Sequence, residues 1–190
     1  MLDFPFHIIL GSTSPRRREL LAGLDIDFEV RRINVDEIYP ETLEVHQIPE
    51  FLALLKANSQ REKMQANDLV LTADTIVICE GKVLGKPKNA DDARNMLRQL
   101  SGKKHEVVSG VCLTSAEKQI SFSDTTTVFF KKLTDEEIDY YIDSFHPFDK
   151  AGAYGIQEWI GYIAIEKIEG SYYTVMGLPV AKVYAALRDF

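Results

Sequence analysis

Asp74 is the residue whose surroundings most demand a chemical reason. Leu69-Val70-Leu71-Thr72-Ala73 precedes it and Ile76-Val77-Ile78-Cys79 comes after, the continuous apolar character of a central strand. An unpartnered carboxylate is expensive in such a place. At a break in the strand it suits a metal ligand or a general base, the alternative being an aspartate that only bonds a turn. A second group of candidates is cationic. In Gly11-Ser12-Thr13-Ser14-Pro15-Arg16-Arg17-Arg18, Ser14 stands where an N-cap belongs and Pro15 suits the first helical position. Free N–H groups at such a helix start attract anions, whereas three arginines there oppose the macrodipole. Ser12, Arg16 and Arg17 are therefore read as anion binders, with a solvated basic turn as the plain alternative. Arg18 is read as solvated.

Two further positions suit a phosphorylated ligand. Lys86 in Gly85-Lys86-Pro87 offers a point charge, with a glycine that permits close backbone approach on one side and a stiffening proline on the other. This is no Walker P-loop, because the upstream glycine pattern is absent. Gln157 comes after the small-residue run Ala151-Gly152-Ala153-Tyr154-Gly155. Its amide carries donors and acceptors that suit the edge of a base, the alternative being a loop glutamine. Glu37 and Lys56, by type alone, default to a solvated acid and the polar flank of a helix. Several cations, at least two acids and no Ser-His or Cys-His nucleophile arrangement favour metal-assisted hydrolysis of a phosphoanhydride over acyl transfer.

The elements that must position these groups alternate early between strand and helix. A strand over 7–10 leads through the arginine turn into a helix carrying Leu20 and Leu21, with Leu24 on the same face. A strand over 28–31 is followed by an acidic irregular stretch, 34–44, that holds Glu37. The pattern then predicts a helix over 49–65 bearing Lys56 and Lys63, the central strand, and a two-residue hairpin turn at Glu80-Gly81. Asn89 caps a helix that ends at Gly102. The arms of a long hairpin span 105–114 and 119–130. Thr134 opens a capping box, 162–168 reads as a strand, 169–173 as a turn, and a last helix starts near Pro179. This is a mixed α/β sheet rather than a purely parallel one.

Composition narrows the class. With 190 residues, 45% of them hydrophobic, the chain suits one globular domain, or one domain with a substantial insertion. A net charge of −7 with no basic stripe argues against nucleic-acid binding, without excluding a local pocket for a small anion. No apolar run has the length of a membrane span, and Met-Leu-Asp-Phe-Pro at the start lacks the regions of a signal peptide. Cys79 and Cys112 make no disulfide framework; both read as buried and reduced, in keeping with a cytoplasmic protein. The four histidines are scattered and read as structural or surface groups, and a zinc site is not expected.

Ser12-x-Ser14-Pro15-Arg16-Arg17, Ala73-Asp74-Thr75-Ile76-Val77, Gly85-Lys86-Pro87 and Asp149-Lys150-Ala151-Gly152-Ala153-Tyr154-Gly155-Ile156-Gln157 resemble, in order, the motifs of the Maf family of nucleoside triphosphate pyrophosphatases. Gly170-Ser171-Tyr172 and Met176-Gly177-Leu178-Pro179 match too, so the resemblance covers the chain, 1–190, as a single domain. It implies an elongated, twisted mixed sheet flanked by helices, similar to inosine triphosphate pyrophosphatases, with two lobes and a central cleft. It also implies divalent-metal-dependent cleavage between the α- and β-phosphates to a nucleoside monophosphate and pyrophosphate, with Mg²⁺, or else Mn²⁺ or Co²⁺. Thr75 is similar to the dTTP/UTP branch; a sister branch acting on 7-methyl-GTP carries Ser-Asp-Gln at 73–75. Gly11 stands where alanine is usual, a small departure. Carried over by position, Asp74 is the proton acceptor and a metal contact, and Glu37 is a metal or water ligand. Ser12, Arg16, Lys56 and Lys86 handle phosphate; Arg17, Thr75 and Gln157 select the base. The family also implies a homodimer. The alternative function is a nucleotide-binding regulator of cell division or septum formation, and a third reading keeps the enzyme but gives it modified pyrimidine nucleotides.

Overall fold

The computed structural model describes residues 4–190, so the first residues of the stretch read for a leader lie outside the described part. In chain order, β1 is His7–Leu10, α1 Pro15–Ala22, β2 Glu29–Val30, α2 Ile48–Asn58, β3 Asp68–Cys79 and β4 Lys82–Leu84. Next are α3 (Ala90–Leu100), β5 (Lys104–Thr114), β6 (Gln119–Phe130) and α4 (Asp135–Phe145). The chain continues with α5 (Trp159–Ala164), β7 (Ile165–Glu169), α6 (Tyr172–Met176) and α7 (Val180–Arg188). Among the described residues, seven strands form one sheet in the order β2-β1-β3-β5-β6-β7, with β4 on β3. It is mixed: β1 runs parallel to β2 and β3, whereas β3–β4 and β6–β7 are antiparallel. No described helix is long and apolar enough to cross a membrane.

The chain divides into two compact units. One holds the residues up to Asp74 with Ser109–Asp124 and Gly177–Phe190. Its core is built by β1 and the first half of β3, where Ile8, Ile9, Leu10, Leu69, Val70 and Leu71 are buried. Leu20 and Leu21 of α1 join them, as do Leu52, Ala53 and Ala57 of α2. Gly110 fixes how α2 lies on β5. A Cβ there would fall 2.2 Å from the Glu50 nitrogen, so strand backbone and helix backbone meet directly.

The other unit holds Thr75–Val108 and Thr125–Met176. Here the Glu80-Gly81 turn has both residues in the left-handed region, at φ 51° and 76°, which a two-residue hairpin requires. Thr134 and Glu137 form the expected capping box on α4. His105, Phe130 and Tyr154 pack edge to face at centroid distances of 4.9 to 5.4 Å, and the His105 Nε2 meets the Tyr154 hydroxyl at 2.7 Å.

Four expected elements differ. The helix predicted over 49–65 ends at Asn58, where the Ser59 hydroxyl donates to the Lys56 carbonyl at 2.7 Å; Lys63 lies on a separate 3-10 turn. Residues 162–164 belong to α5, not a strand. Gly161 lets that turn close on the Ile156 carbonyl, which a Cβ would approach to 1.8 Å. The turn expected over 169–173 gives way to α6 from Tyr172. Finally, β3 runs through Asp74 without a break.

Burial pushes the His105 imidazole down to about 4 from the ordinary 6.5. The unfolded chain therefore takes up a proton below pH 6.5 that the folded chain refuses until about pH 4. This stabilisation is complete above pH 6.5 and is lost as pH falls through that window, about 3 kcal/mol in all. Urea titrations between pH 7 and pH 4 should show the loss, and His105→Gln should flatten it.

Candidate active site

Strand β3 presents Thr72 and Asp74 on one face, two residues apart. Both meet α2. The Thr72 hydroxyl donates to the Ala53 carbonyl at 2.7 Å, and one helical turn later the Lys56 ammonium donates to Asp74 Oδ1 at 2.5 Å. The same ammonium pairs with Glu37 Oε1 at 2.8 Å, reaching across to the acidic irregular stretch. Asp74 and Lys56 are largely covered, their side chains 13% and 11% exposed, whereas Glu37 is 51% exposed. One cation thus spans two carboxylates, one buried and one facing water. The expected carboxylate pair is together, and Lys56 lies between its members rather than on a solvated flank.

The turn before α1 packs on the same part of β3. Ser14 caps the helix, its hydroxyl accepting from the Arg17 N–H, with Pro15 in the first turn. Ser12 Oγ accepts from the Ser14 N–H at 3.2 Å. Arg17 donates through Nε to the Gly177 carbonyl at 2.9 Å and through Nη1 to the Ala73 carbonyl at 2.9 Å and Ser12 Oγ at 3.4 Å. Burial pushes its guanidinium below the ordinary arginine range; the Asp74 and Glu37 carboxylates oppose this, and Arg16 adds to it. Arg16 is half-buried and Arg18 exposed. Ser12, Arg16, Arg17, Glu37, Lys56 and Asp74 therefore share one neighbourhood in the first unit, with three cationic side chains against two carboxylates.

Thr75, Lys86 and Gln157 belong to the second unit. Thr75, the residue after Asp74 in β3, is half-buried. Lys86 is exposed just past β4; the Gly85 carbonyl before it accepts from the Gly152 N–H at 3.0 Å. No other part of the chain crowds Gly85. Gln157 is half-buried, and its Oε1 is buried with no hydrogen-bond partner.

Sequence reasoning missed the groups around Gln157. Lys150 is 7% exposed and pairs with Asp149 at 2.8 Å and Glu158 at 3.0 Å. The Tyr141 hydroxyl donates to the other Glu158 oxygen and accepts from the Gly155 N–H at 3.1 Å. Asp149-Lys150 and Glu158 are adjacent in sequence to the small-residue run, but Tyr141 lies on α4 and no spacing announces it.

No three His, Cys, Asp or Glu side chains gather as metal ligands among the described residues. Glu37 and Asp74 are two carboxylates of the kind that hold a divalent cation when substrate phosphates and water complete its shell. In this structure both carboxylates are held by the Lys56 ammonium.

A family model described as "Maf-like protein" matches residues 7–190. The chain belongs to the Maf family. Among its Maf relatives, a protein of Phocaeicola vulgatus named dTTP/UTP pyrophosphatase is 54% identical over 184 residues, 96% of this chain and 95% of the relative. One of Porphyromonas gingivalis with the same name is 52% identical over 188 residues, 97% and 94% of the two chains. The fold of this Maf protein is similar to a HAM1 protein from Coxiella burnetii, with a TM-score of 0.51 at 15% identity over 97% of this chain and 100% of that one.

Arg17 holds two carbonyls with a planar, forked cation that a lysine cannot imitate. Arg17→Lys should destabilise this Maf protein by about 2 kcal/mol, the worth of a charge-assisted bond to a buried carbonyl, in urea unfolding.

Proposed function

We propose that this protein hydrolyses the bond between the α- and β-phosphates of dTTP and UTP, releasing the nucleoside monophosphate and pyrophosphate. The observation that carries the reading is the Lys56 ammonium spanning Glu37 and Asp74 beside the Ser12–Arg17 turn. Two relatives above half identity that bear the name dTTP/UTP pyrophosphatase support the substrate.

Asp74 orients the attacking water and takes its proton as the water oxygen bonds to phosphorus and the bridging oxygen leaves with pyrophosphate. Its place on a buried strand keeps the carboxylate fixed. Lys56 supplies positive charge to the phosphates, with Ser12, Arg16 and Lys86 in the same role. Glu37 and Asp74 would hold a divalent cation, Mg²⁺ or else Mn²⁺ or Co²⁺. Such a cation neutralises charge on the phosphate oxygens. Thr75 and Gln157 select the base, and Arg17 supports that selection by bracing the Ala73 carbonyl beside Asp74 and Thr75. The family pattern also supports a single catalytic domain over 1–190, a cytoplasmic location and a homodimer.

Pyrophosphate release should be measured with Mg²⁺ across dTTP, UTP, CTP, ATP and GTP. We expect dTTP and UTP to turn over fastest, and Asp74→Asn to lower kcat by about a thousandfold with little change in KM. Absence of release from dTTP and UTP, or an Asp74→Asn variant with the original kcat, would sink the proposal.

A further inference from the structure

Gln157 leaves a buried acceptor unanswered: its Oε1 has no hydrogen-bond partner. Buried polar atoms are almost always satisfied, so such an orphan suits a donor supplied by a bound molecule. Thymine and uracil carry an N–H donor at N3. Cytosine carries an acceptor at the same place, and would leave Oε1 facing a second lone pair.

The neighbouring residue is fixed at four points. The Glu158 N–H donates to the Gly155 carbonyl at 3.0 Å, and its own carbonyl accepts from the Gly161 N–H at 2.8 Å. One carboxylate oxygen takes the buried Lys150 ammonium at 3.0 Å, the other the Tyr141 hydroxyl. Tyr141 is fully buried and ties back to the Gly155 N–H at 3.1 Å. Gly155 packs close beneath Glu158 and Lys150: a Cβ there would fall 3.0 Å from the Glu158 carboxylate carbon and 3.1 Å from Lys150 Cε, so both side chains would have to give by a few tenths of an ångström. At the far end of the segment, Gly152 turns at φ 67° against Val77, and Ala153 adopts φ 58° beside it. Burial, reinforced by Glu158, pushes the Tyr141 phenol up, which keeps it a hydrogen-bond donor. The segment 150–158 is thus clamped on both sides of the small-residue run, with Gln157 between the clamped residues.

We infer that Tyr141, Lys150 and Glu158 are positioning residues that hold Gln157 Oε1 as the acceptor for the N3–H of thymine or uracil. The inference rests on the base-selecting role proposed for Gln157 and names the atom and the clamp through which it acts. Tyr141 and Glu158 touch no substrate; their effect passes through Gln157.

The test uses the full chain with Mg²⁺ and two non-hydrolysable probes, α,β-methylene-UTP and α,β-methylene-CTP, with both affinities measured by calorimetry. The wild-type protein should prefer the UTP analogue. Gln157→Ala should lower that preference about tenfold, the size of one hydrogen bond. Tyr141→Phe and Glu158→Gln should each lower it by a comparable factor. Tyr141→Phe should lower it no further once Gln157→Ala is present, because the two act through one contact. Glu158→Gln keeps the side-chain volume and so preserves the test if Tyr141→Phe folds poorly. If Gln157→Ala loses the preference while Tyr141→Phe and Glu158→Gln retain it, the clamp has no part in selection and only the role of Gln157 survives. Equal weakening of both probes in the clamp variants is a merely structural effect and also overturns the inference. A preference intact in Gln157→Ala overturns the role of Gln157, and the clamp with it.

Discussion

A carboxylate in the middle of a buried strand must be compensated, and in this protein that requirement organises the first unit. Asp74 lies in the buried run of β3, and Lys56 pairs with it. Removing one member of a covered pair of this kind costs about 3–5 kcal/mol, mostly as uncompensated charge. Well-packed apolar side chains in place of such a pair are often as stable or more so, so stability alone is a weak reason for it. Its presence is better explained by chemistry, and the second carboxylate on the same ammonium, Glu37, points the same way.

The supports around the pair exist because of it. Lys56 reaches Asp74 only if α2 lies in one register on the sheet. The bond from Thr72 to the Ala53 carbonyl sets that register one helical turn earlier, and Gly110 lets the start of α2 approach β5 without an intervening side chain. On the other flank, Arg17 ties the α1 turn to the carbonyl of Ala73, next to the aspartate. The guanidinium sacrifices some of its own solvation to do so, which is why burial lowers its proton affinity.

Much of this was legible in the sequence, for definite reasons. Ser14-Pro15 and Thr134-x-x-Glu137 are local capping signals, and both caps form. Glu80-Gly81 is a local turn signal, and the hairpin forms. Asp74 stood out because a charge within an apolar run is anomalous wherever the run folds. What local signals could not supply was partnership. Lys56 reads as a helix flank until α2 is laid on β3, and Tyr141 is silent until α4 brings its hydroxyl to Glu158 and Gly155. The strand expected over 162–168 failed in its first three residues for a local reason instead. Gly161 packs directly on the Ile156 carbonyl five residues back, and that close turn favours helix over the β-propensity of the run.

If Lys56 and Asp74 act as one chemical unit, a double-mutant cycle in kcat for dTTP shows it most directly. Groups that work as a unit are strongly non-additive: once one is gone, the other has little left to contribute. The prediction is that Lys56→Met combined with Asp74→Asn loses no more than about tenfold beyond the worse single variant. Losses that multiply, each substitution acting as fully in the other's absence as in its presence, would contradict it.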